Sequence, residues 1–328
     1  MWICMDDMWS VFNESSSDCA TSKLLHLLMS KWDTLQNSDI FRYKINNLEE
    51  KLVDGKYLLL LNPDRQSKRR IPEDINSISQ PFDGNKFNFN KVPPREILFS
   101  LKYGDDSDIH TFLVNVSPIS NYHSLLCPSI NKCLPQVVTA ESLDLAIQIM
   151  FLMGNRDVKI VFNSLCALAS VNHLHYHILL EKNVLPVETM KWVHITNHLH
   201  ILDKEYPVPA FCFEVPKQCN TDILKDIYRV IQYLVEKSIA HNILLTQRKL
   251  EDEKEAVYVI VWPRKSNVGM KQLAAFNVAV LELSGWFPVY DAEDYNNLQS
   301  QDLEKELRKW RIDDFDKLCE EIKCLYLS

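Results

Sequence analysis

At 328 residues, with 46% hydrophobic and 24% charged side chains, the chain has an ordinary globular composition and enough length for a full core. Its net charge of −8 disfavours binding to nucleic acid or anionic membrane through overall charge, so an anionic substrate needs a local basic cluster or backbone N–H donors. Nine cysteines, an odd number with no CxxC spacing, point to reduced thiols rather than a disulfide framework or a zinc ribbon. The segment Met1 to Ser10 is apolar but carries Asp6 and Asp7 with no basic stretch ahead of it, which makes a poor signal peptide. No run approaches the roughly 18 apolar residues of a spanning helix, and the expected location is cytoplasmic.

Residues 1 to about 20 read as a variable tail. From Thr21 to about Glu50, Leu24, Leu25, Leu28, Trp32 and Leu35 recur at helical spacing. Tyr57 to Leu61 reads as a strand, and the polar stretch Asp64 to Pro81, with its basic cluster Lys68-Arg69-Arg70, as a solvated loop. Phe87-Asn-Phe-Asn-Lys-Val alternates aromatic and polar residues before a Pro-Pro stop, and is expected to be a strand edge or an ordered loop rather than a binding platform. His110 to Ser117 predicts a strand. Thr139 predicts a helix cap, with Leu143, Ile147, Met150 and Phe151 on one face and Gly154 as the stop. Strands are expected at Asp157 to Phe162, Met190 to Ile201, Val208 to Phe213, Ile243 to Thr246 and Val257 to Trp262, with a helix from Asn220 or Thr221 to about Ile239. A helix through Phe276 and Val280 is closed by Gly285, and Gln301 to Tyr326 predicts one amphipathic helix. Single helices between strands, and only six glycines, do not suggest a doubly wound parallel sheet. The expected fold class is α+β with a largely antiparallel sheet and flanking helices. Its main domain spans residues 21–300, with a C-terminal helix at 301–328 packed on or beside it.

The stretch Ser170-Val-Asn-His-Leu-His-Tyr-His-Ile-Leu-Leu180 places His173, His175 and His177 in alternation with apolar residues. A period of two is strand geometry, so all three imidazoles are expected on one face. Three uses compete for such a face: plain solvation, a metal site, and a nucleophilic histidine between two supporting ones. No neighbouring carboxylate or Cys pair completes a metal site. A second group, His194, His198 and His200, shares a face of the strand expected at Met190 to Ile201, and cross-strand packing or a polar wall is its expected role.

With Asn163 twelve residues before His175, Ser170 five before it, and His123 after Asn-Val-Ser-Pro-Ile-Ser-Asn-Tyr, the arrangement resembles the histidine triad superfamily. It also looks like the related galactose-1-phosphate uridylyltransferase branch. Four ordered blocks narrow the resemblance to the animal GDP-D-glucose phosphorylases. They are Gln80-Pro-Phe-Asp with Phe87-Asn-Phe-Asn-Lys-Val, Leu134-Pro-Gln-Val, Phe162 through His177, and Trp262-Pro-Arg-Lys-Ser with Gly269-Met-Lys, Ala275-Phe-Asn-Val-Ala and Glu282-Leu-Ser-Gly285. Phe41-Arg-Tyr-Lys-Ile adds a fifth, less specific block. One departure is Cys166-Ala167, where many relatives are expected to carry a Gly pair; it bears on the local turn and not on the chemistry.

The resemblance implies a HIT-like fold and guanylyl transfer from GDP-glucose to inorganic phosphate, giving GDP and glucose 1-phosphate. It makes His175 the nucleophile that carries GMP, with His173, His177 and Ser170 as its supports and phosphate binders. Asn163 would hold phosphate or ribose, and Lys265 and Lys271 are further candidates for phosphate. His175 needs its distal nitrogen free, with the other N–H donated to a backbone carbonyl. No metal or cofactor is called for, the partners are GDP-glucose and phosphate, and neither nucleic acid nor membrane is expected. GDP-L-galactose phosphorolysis, hydrolysis by a HIT-type enzyme, and a non-enzymatic nucleotide-binding role are the alternatives. His177 at the third triad position favours the animal type over the plant one, which resembles His-x-His-x-Gln.

Overall fold

The computed structural model describes residues 2–4, 22–45, 48–68, 75–102, 108–217, 221–247, 255–267 and 276–326. Its strands run in chain order as β1 (Trp2–Cys4), β2 (Glu49–Val53), β3 (Tyr57–Leu61), β4 (Ile97–Lys102), β5 (His110–Val114), β6 (Ser124–Cys127) and β7 (Val158–Asn163). They continue as β8 (Tyr176–Leu180), β9 (Trp192–Thr196), β10 (Leu199–Leu202), β11 (Phe211–Pro216), β12 (Ala240–Thr246), β13 (Ala256–Arg264) and β14 (Trp286–Val289). Eleven of them form one sheet in the order β1-β4-β5-β6-β8-β7-β12-β13-β11-β10-β9, and β14-β3-β2 form a smaller one. Neighbours are antiparallel apart from β1 beside β4 and β14 beside β3. The structure is thus the α+β arrangement with a largely antiparallel sheet that the sequence pattern predicts.

Alternation along the strands gives the large sheet two different faces. One carries Phe99, Phe112, Leu126, Phe162 and Tyr176, and packs against the helices Lys23–Asp33, Ala140–Met153, Thr221–Glu236 and Phe315–Cys324. The other carries Val161, Leu179, Leu244, Ile260 and Cys212, which the smaller sheet and the helices Val280–Ser284 and Ser300–Lys309 cover. That cover lies over β7, β12, β13 and β11. The same face over β4, β5 and β6 instead holds Leu113 and Leu125 under the loop of Phe89, and here a cleft opens.

Local chemistry sets the helix ends. The Thr139 side chain accepts from the Ser142 N–H at 3.1 Å and Gly154 (φ 54°) ends the helix, both as expected, and the Ser142 hydroxyl accepts in return from the Thr139 N–H at 3.0 Å.

Elsewhere the expected elements are shorter. The helix expected from Thr21 to about Glu50 stops at Asp33. The hydroxyls of Thr34 and Ser38 donate back to the carbonyls of Lys31 and Leu35, each at 2.6 Å, and compete with helix propagation. The chain then forms the β2–β3 hairpin, turned by Asp54 (φ 51°) and Gly55 (φ 65°). Within the expected loop Asp64 to Pro81, Pro63–Lys68 is helical. The single strand expected from Met190 to Ile201 is a hairpin, because Asn197 adopts a left-handed turn (φ 42°) between β9 and β10. The C-terminal helix is two helices, Ser300–Lys309 and Phe315–Cys324, the second capped by Asp314. β14 and the helix Ala292–Asn297 were not anticipated. Of the helix expected through Phe276 and Val280, Val280–Ser284 is helical, and 268–275 fall outside the described residues. Among the described residues no helix is long and apolar enough to cross a membrane.

Candidate active site

The three histidines do not share one strand face. Only His177 lies within a strand, since β8 begins at Tyr176. Before it the backbone leaves the ladder: the Leu174 N–H donates to the Leu134 carbonyl at 2.9 Å and the His175 N–H to Gln136 Oε1 at 2.9 Å. Upstream, Cys166 (φ 59°) and Leu168 (φ 76°) are left-handed without being glycine, a conformation that costs on the order of 1 kcal/mol each. The turn at the departing Cys166-Ala167 pair is held by bonds to its carbonyls from the Asn267 N–H (2.7 Å) and Asn242 Nδ2 (2.9 Å).

His175 is buried, and its Nδ1–H donates to the carbonyl of His173 at 2.7 Å. A carbonyl can only accept, so the ring's lone pair is fixed on Nε2, the nitrogen available for attack. Gln136 clamps the backbone behind it. Besides accepting from the His175 N–H, its Nε2 donates to the carbonyls of Asn163 (3.0 Å) and His175 (3.1 Å). Burial lowers the His175 pKa to about 4, so the imidazole is neutral near pH 7.

His173 is not among the residues lining the clefts. It is fully buried, its Nδ1 accepts from the Phe89 N–H at 3.1 Å, and its ring lies between Phe82 and Phe89 with centroids 5.1 and 5.7 Å away. It supports His175 through its carbonyl and lies behind the cleft wall. Phe89 also touches the His175 ring, 4.9 Å between centroids. The Phe87-to-Val92 segment is therefore an ordered loop, as expected, and in addition it seats two of the triad imidazoles.

His177 is oriented by His123. The Ile119 N–H donates to His123 Nδ1 at 2.9 Å, which places the proton of the neutral ring on Nε2. Burial, followed by the charge of Arg65, holds the His123 pKa well below the ordinary range and keeps that ring neutral. His123 Nε2 lies 2.9 Å from His177 Nδ1 and 3.1 Å from Asn115 Nδ2, so the His177 ring is held through Nδ1 beside the cleft. The three Nδ1 atoms of the triad are thus all committed within the protein. Among the described residues no group of three or more His, Cys, Asp or Glu side chains is arranged to hold a metal ion.

Two adjoining clefts, both open to solvent, meet at His177, Ser170 and Arg65. The first contains His175, Phe87, Phe89 and Asn115; the second contains Asn163, Asn277, Glu282 and Tyr290. Asn163 Oδ1 already accepts from Asn242 Nδ2 (2.6 Å) and the Val280 N–H (3.2 Å), which leaves the amide N–H groups as the donors it can offer. The structure thus brings His175, His177, Ser170 and Asn163 together. Lys265 lies elsewhere, on the surface, with Nζ 2.6 Å from Asp313, and Lys271 is outside the described residues. The cation at the junction is Arg65, held by the Ser117 carbonyl and the Tyr43 hydroxyl. It stands in a short polar helix that reads as a solvated loop, so nothing in its local sequence marks it. Gln136 sat within a block of the resemblance but carried no assigned role. The second histidine group is separate: His194 and His200 are paired across the β9–β10 hairpin with rings 5.1 Å apart, and His198 contacts Asp226 at 2.7 Å.

The GDPGP1-like N-terminal domain model matches residues 23–179 and the GDPGP1-like C-terminal domain model matches residues 184–326. The chain belongs to the GDPGP1-like family. It is 33% identical over 294 residues to GDP-D-glucose phosphorylase 1 of Danio rerio, covering 87% of this chain and 85% of that one. Against GDP-D-glucose phosphorylase 1 of Homo sapiens the identity is 35% over 290 residues, covering 83% and 75%. GDP-L-galactose phosphorylase 2 of Arabidopsis thaliana is 30% identical over 320 residues, covering 87% and 70%. Among solved structures, yeast Ap4A phosphorylase Apa2 in complex with Ap4A superimposes with a TM-score of 0.64 at 18% identity, covering 89% of this chain and 98% of that one. The family and this shared fold bear out the HIT-like expectation. The two family models meet between β8 and β9, yet the large sheet is continuous across that point, because β7 pairs with β12.

Proposed function

We propose that this protein is a nucleotidyltransferase that cleaves GDP-D-glucose with inorganic phosphate, releasing GDP and glucose 1-phosphate through a GMP-histidine intermediate on His175. Its relatives are named GDP-hexose phosphorylases, and those named for GDP-D-glucose include the vertebrate proteins of 33% and 35% identity. The observation that carries the mechanism is the bond from His175 Nδ1–H to the His173 carbonyl, which aims the Nε2 lone pair. Nε2 attacks the α-phosphorus, the bond from that phosphorus to the bridging oxygen breaks, and glucose 1-phosphate departs with the oxygen. The positive charge arising on the imidazole is stabilised by the carbonyl at Nδ1. An oxygen of inorganic phosphate then attacks the same phosphorus, the N–P bond breaks, and GDP leaves with His175 neutral again. Phosphoryl transfer depends on positioning and charge neutralisation, which Arg65, His177 and Ser170 supply at the junction of the clefts.

The test uses GDP-glucose labelled at the guanosine phosphate. Wild-type protein should trap label in an acid-labile, base-stable form and require phosphate for turnover. The His175→Ala variant should fold and do neither. Full activity in that variant would remove His175 from the mechanism, and full-rate GMP release without phosphate would make the enzyme a hydrolase. A panel of GDP-hexoses, read as GDP release, separates glucose from L-galactose.

A further inference from the structure

Three buried polar side chains form a row across an otherwise apolar face of the sheet, ending at the second cleft. Asn163 on β7 stands opposite Asn242 on β12, and Asn242 opposite Trp262 on β13, so Arg264, two residues further along β13, points to the same face. Their neighbours on that face are Val161, Leu244, Ile260 and Trp262. Each link in the row has a fixed direction. The Arg264 guanidinium can only donate, and its Nη1 lies 3.4 Å from Asn242 Oδ1. The Ala167 carbonyl can only accept, and Asn242 Nδ2 lies 2.9 Å from it. Asn242 therefore turns its oxygen to Arg264 and its amide nitrogen to Ala167 and to Asn163 Oδ1, which is 2.6 Å away. Asn163 Oδ1 also accepts from the Val280 N–H at 3.2 Å, and Arg264 Nη1 donates to the Val278 carbonyl two residues earlier.

With its oxygen doubly engaged, Asn163 offers the second cleft the N–H groups of Nδ2, which make no hydrogen bond among the described residues. The guanidinium at the other end of the row is buried 4.4 Å over the ring of Trp310, and none of its hydrogen bonds among the described residues goes to a carboxylate. Such a charge is costly to hold on an apolar face, and packing alone would be served as well by a hydrophobic side chain. At low dielectric that charge polarises the two amides in series, and the donor end of the series is Asn163 Nδ2. A polarised donor suits an anionic oxygen better than a sugar hydroxyl. Arg65, Ser170 and His177 line the same cleft. We infer that Arg264 and Asn242 are positioning residues that hold the Asn163 amide as a donor to the phosphate beyond the one His175 attacks. That phosphate is first the β-phosphate of the GDP-hexose and then inorganic phosphate. Both take one position, because in-line displacement puts the leaving oxygen, and later the attacking one, on the side of the α-phosphorus opposite Nε2. This inference rests on the reading of the site as one for a GDP-hexose.

The test measures binding without turnover, by calorimetric titration of GDP and GMP into the full chain and its variants, since the two ligands differ only in the β-phosphate. Wild-type protein should bind GDP about tenfold or more tightly than GMP, as charge-assisted hydrogen bonds to that phosphate require. Asn163→Asp keeps the acceptor that Asn242 and Val280 use but faces the cleft with an oxygen. GDP should then weaken about tenfold to 100-fold and GMP by less than about twofold. Asn242→Asp cannot donate to Asn163, whose amide turns inward to it, and should give the same pattern. In an Asn163→Ala background, Asn242→Asp should add nothing. Arg264→Lys, still donor-only, should keep more of the preference for GDP than Arg264→Gln, whose amide can face Asn242 either way. Equal weakening of GDP and GMP, as for a contact to ribose or a purely structural role, would overturn the inference, and so would additive losses in the Asn163→Ala background. Wild-type protein that binds GMP as tightly as GDP would overturn it without reference to any variant. A GDP preference set by the row without phosphorolysis would sink the proposed reaction and leave the row's role standing; phosphorolysis and GDP binding indifferent to Asn242 and Arg264 would do the reverse.

Discussion

Gln136→Met tests whether the backbone clamp behind His175 positions the nucleophile. Methionine matches glutamine in length but offers no strong donor or acceptor. The change leaves the His175 N–H and the carbonyls of His175 and Asn163 without the partners that Gln136 supplies at 2.9, 3.1 and 3.0 Å. Gln136 is itself buried, so water does not replace those bonds freely. At about 1 kcal/mol for each unsatisfied group, the lower end of the usual range, the loss is about 3 kcal/mol. For a chain of this size that lowers the melting temperature by about 5 °C. The catalytic consequence is separate. Shifting the His175 backbone alters the aim of Nε2, and misplacement by about 1 Å costs on the order of 100-fold in rate. Thermal unfolding and steady-state kinetics with GDP-glucose and phosphate measure both effects. The expected result is a folded protein with a clear drop in melting temperature, kcat down by about tenfold to 100-fold, and KM changed far less. A melting shift below about 1 °C, or a loss confined to KM, would refute the clamp.

Other outcomes follow from the buried groups. Burial holds His173, His175 and His241 near a pKa of about 4, whereas the unfolded chain binds their protons near 6.5. Between these values the unfolded state carries more protons, so stability falls as pH drops through that window, by roughly 2 kcal/mol per imidazole between pH 7 and pH 5. Denaturant midpoints across that range check this, and the acid limb of activity should lie below the ordinary histidine range. Lys159 and Glu188 form an ion pair with both side chains 0% exposed, so Lys159→Met strands a buried carboxylate and should cost about 3 to 5 kcal/mol. The double variant Lys159→Met/Glu188→Leu should recover much of it in a chemical-denaturation cycle. Gly285 has φ 96°, and a Cβ there would sit 2.5 Å from Pro186 Cδ and Cγ, so Gly285→Ala should lose about 2 kcal/mol or more, read as a lower melting temperature.

Where local chemistry settles the outcome, sequence reading and structure agree. Thr139 and Gly154 bound their helix because a cap and a left-handed stop are properties of single residues and their near neighbours. Tyr57–Leu61 is a strand as expected, because an apolar run between turn residues needs no distant information. Agreement ends where a competing partner lies far along the chain or a turn breaks a periodic run. Asn197 folds one apparent strand into a hairpin, and the apolar spacing after Thr21 continues past the end of the helix.

The alternation of His173, His175 and His177 is a sequence fact, and with Ser170 and Asn163 it carries the resemblance that implies a phosphorus-attacking imidazole. That the three rings have three different environments is a tertiary fact. It depends on the Phe89 N–H, the Gln136 clamp and His123, which stand 84, 39 and 54 residues from the histidines they contact. The same holds for Arg65, which short-range pattern leaves among solvated residues and which the fold brings to the junction of the clefts. The sequence by itself singled out His175, His177, Ser170 and Asn163 as neighbours of one site, because their types and spacing are local. The tertiary structure decided how the rings of His173 and His177 are held, because their partners, the Phe89 N–H and His123, come from other segments of the chain.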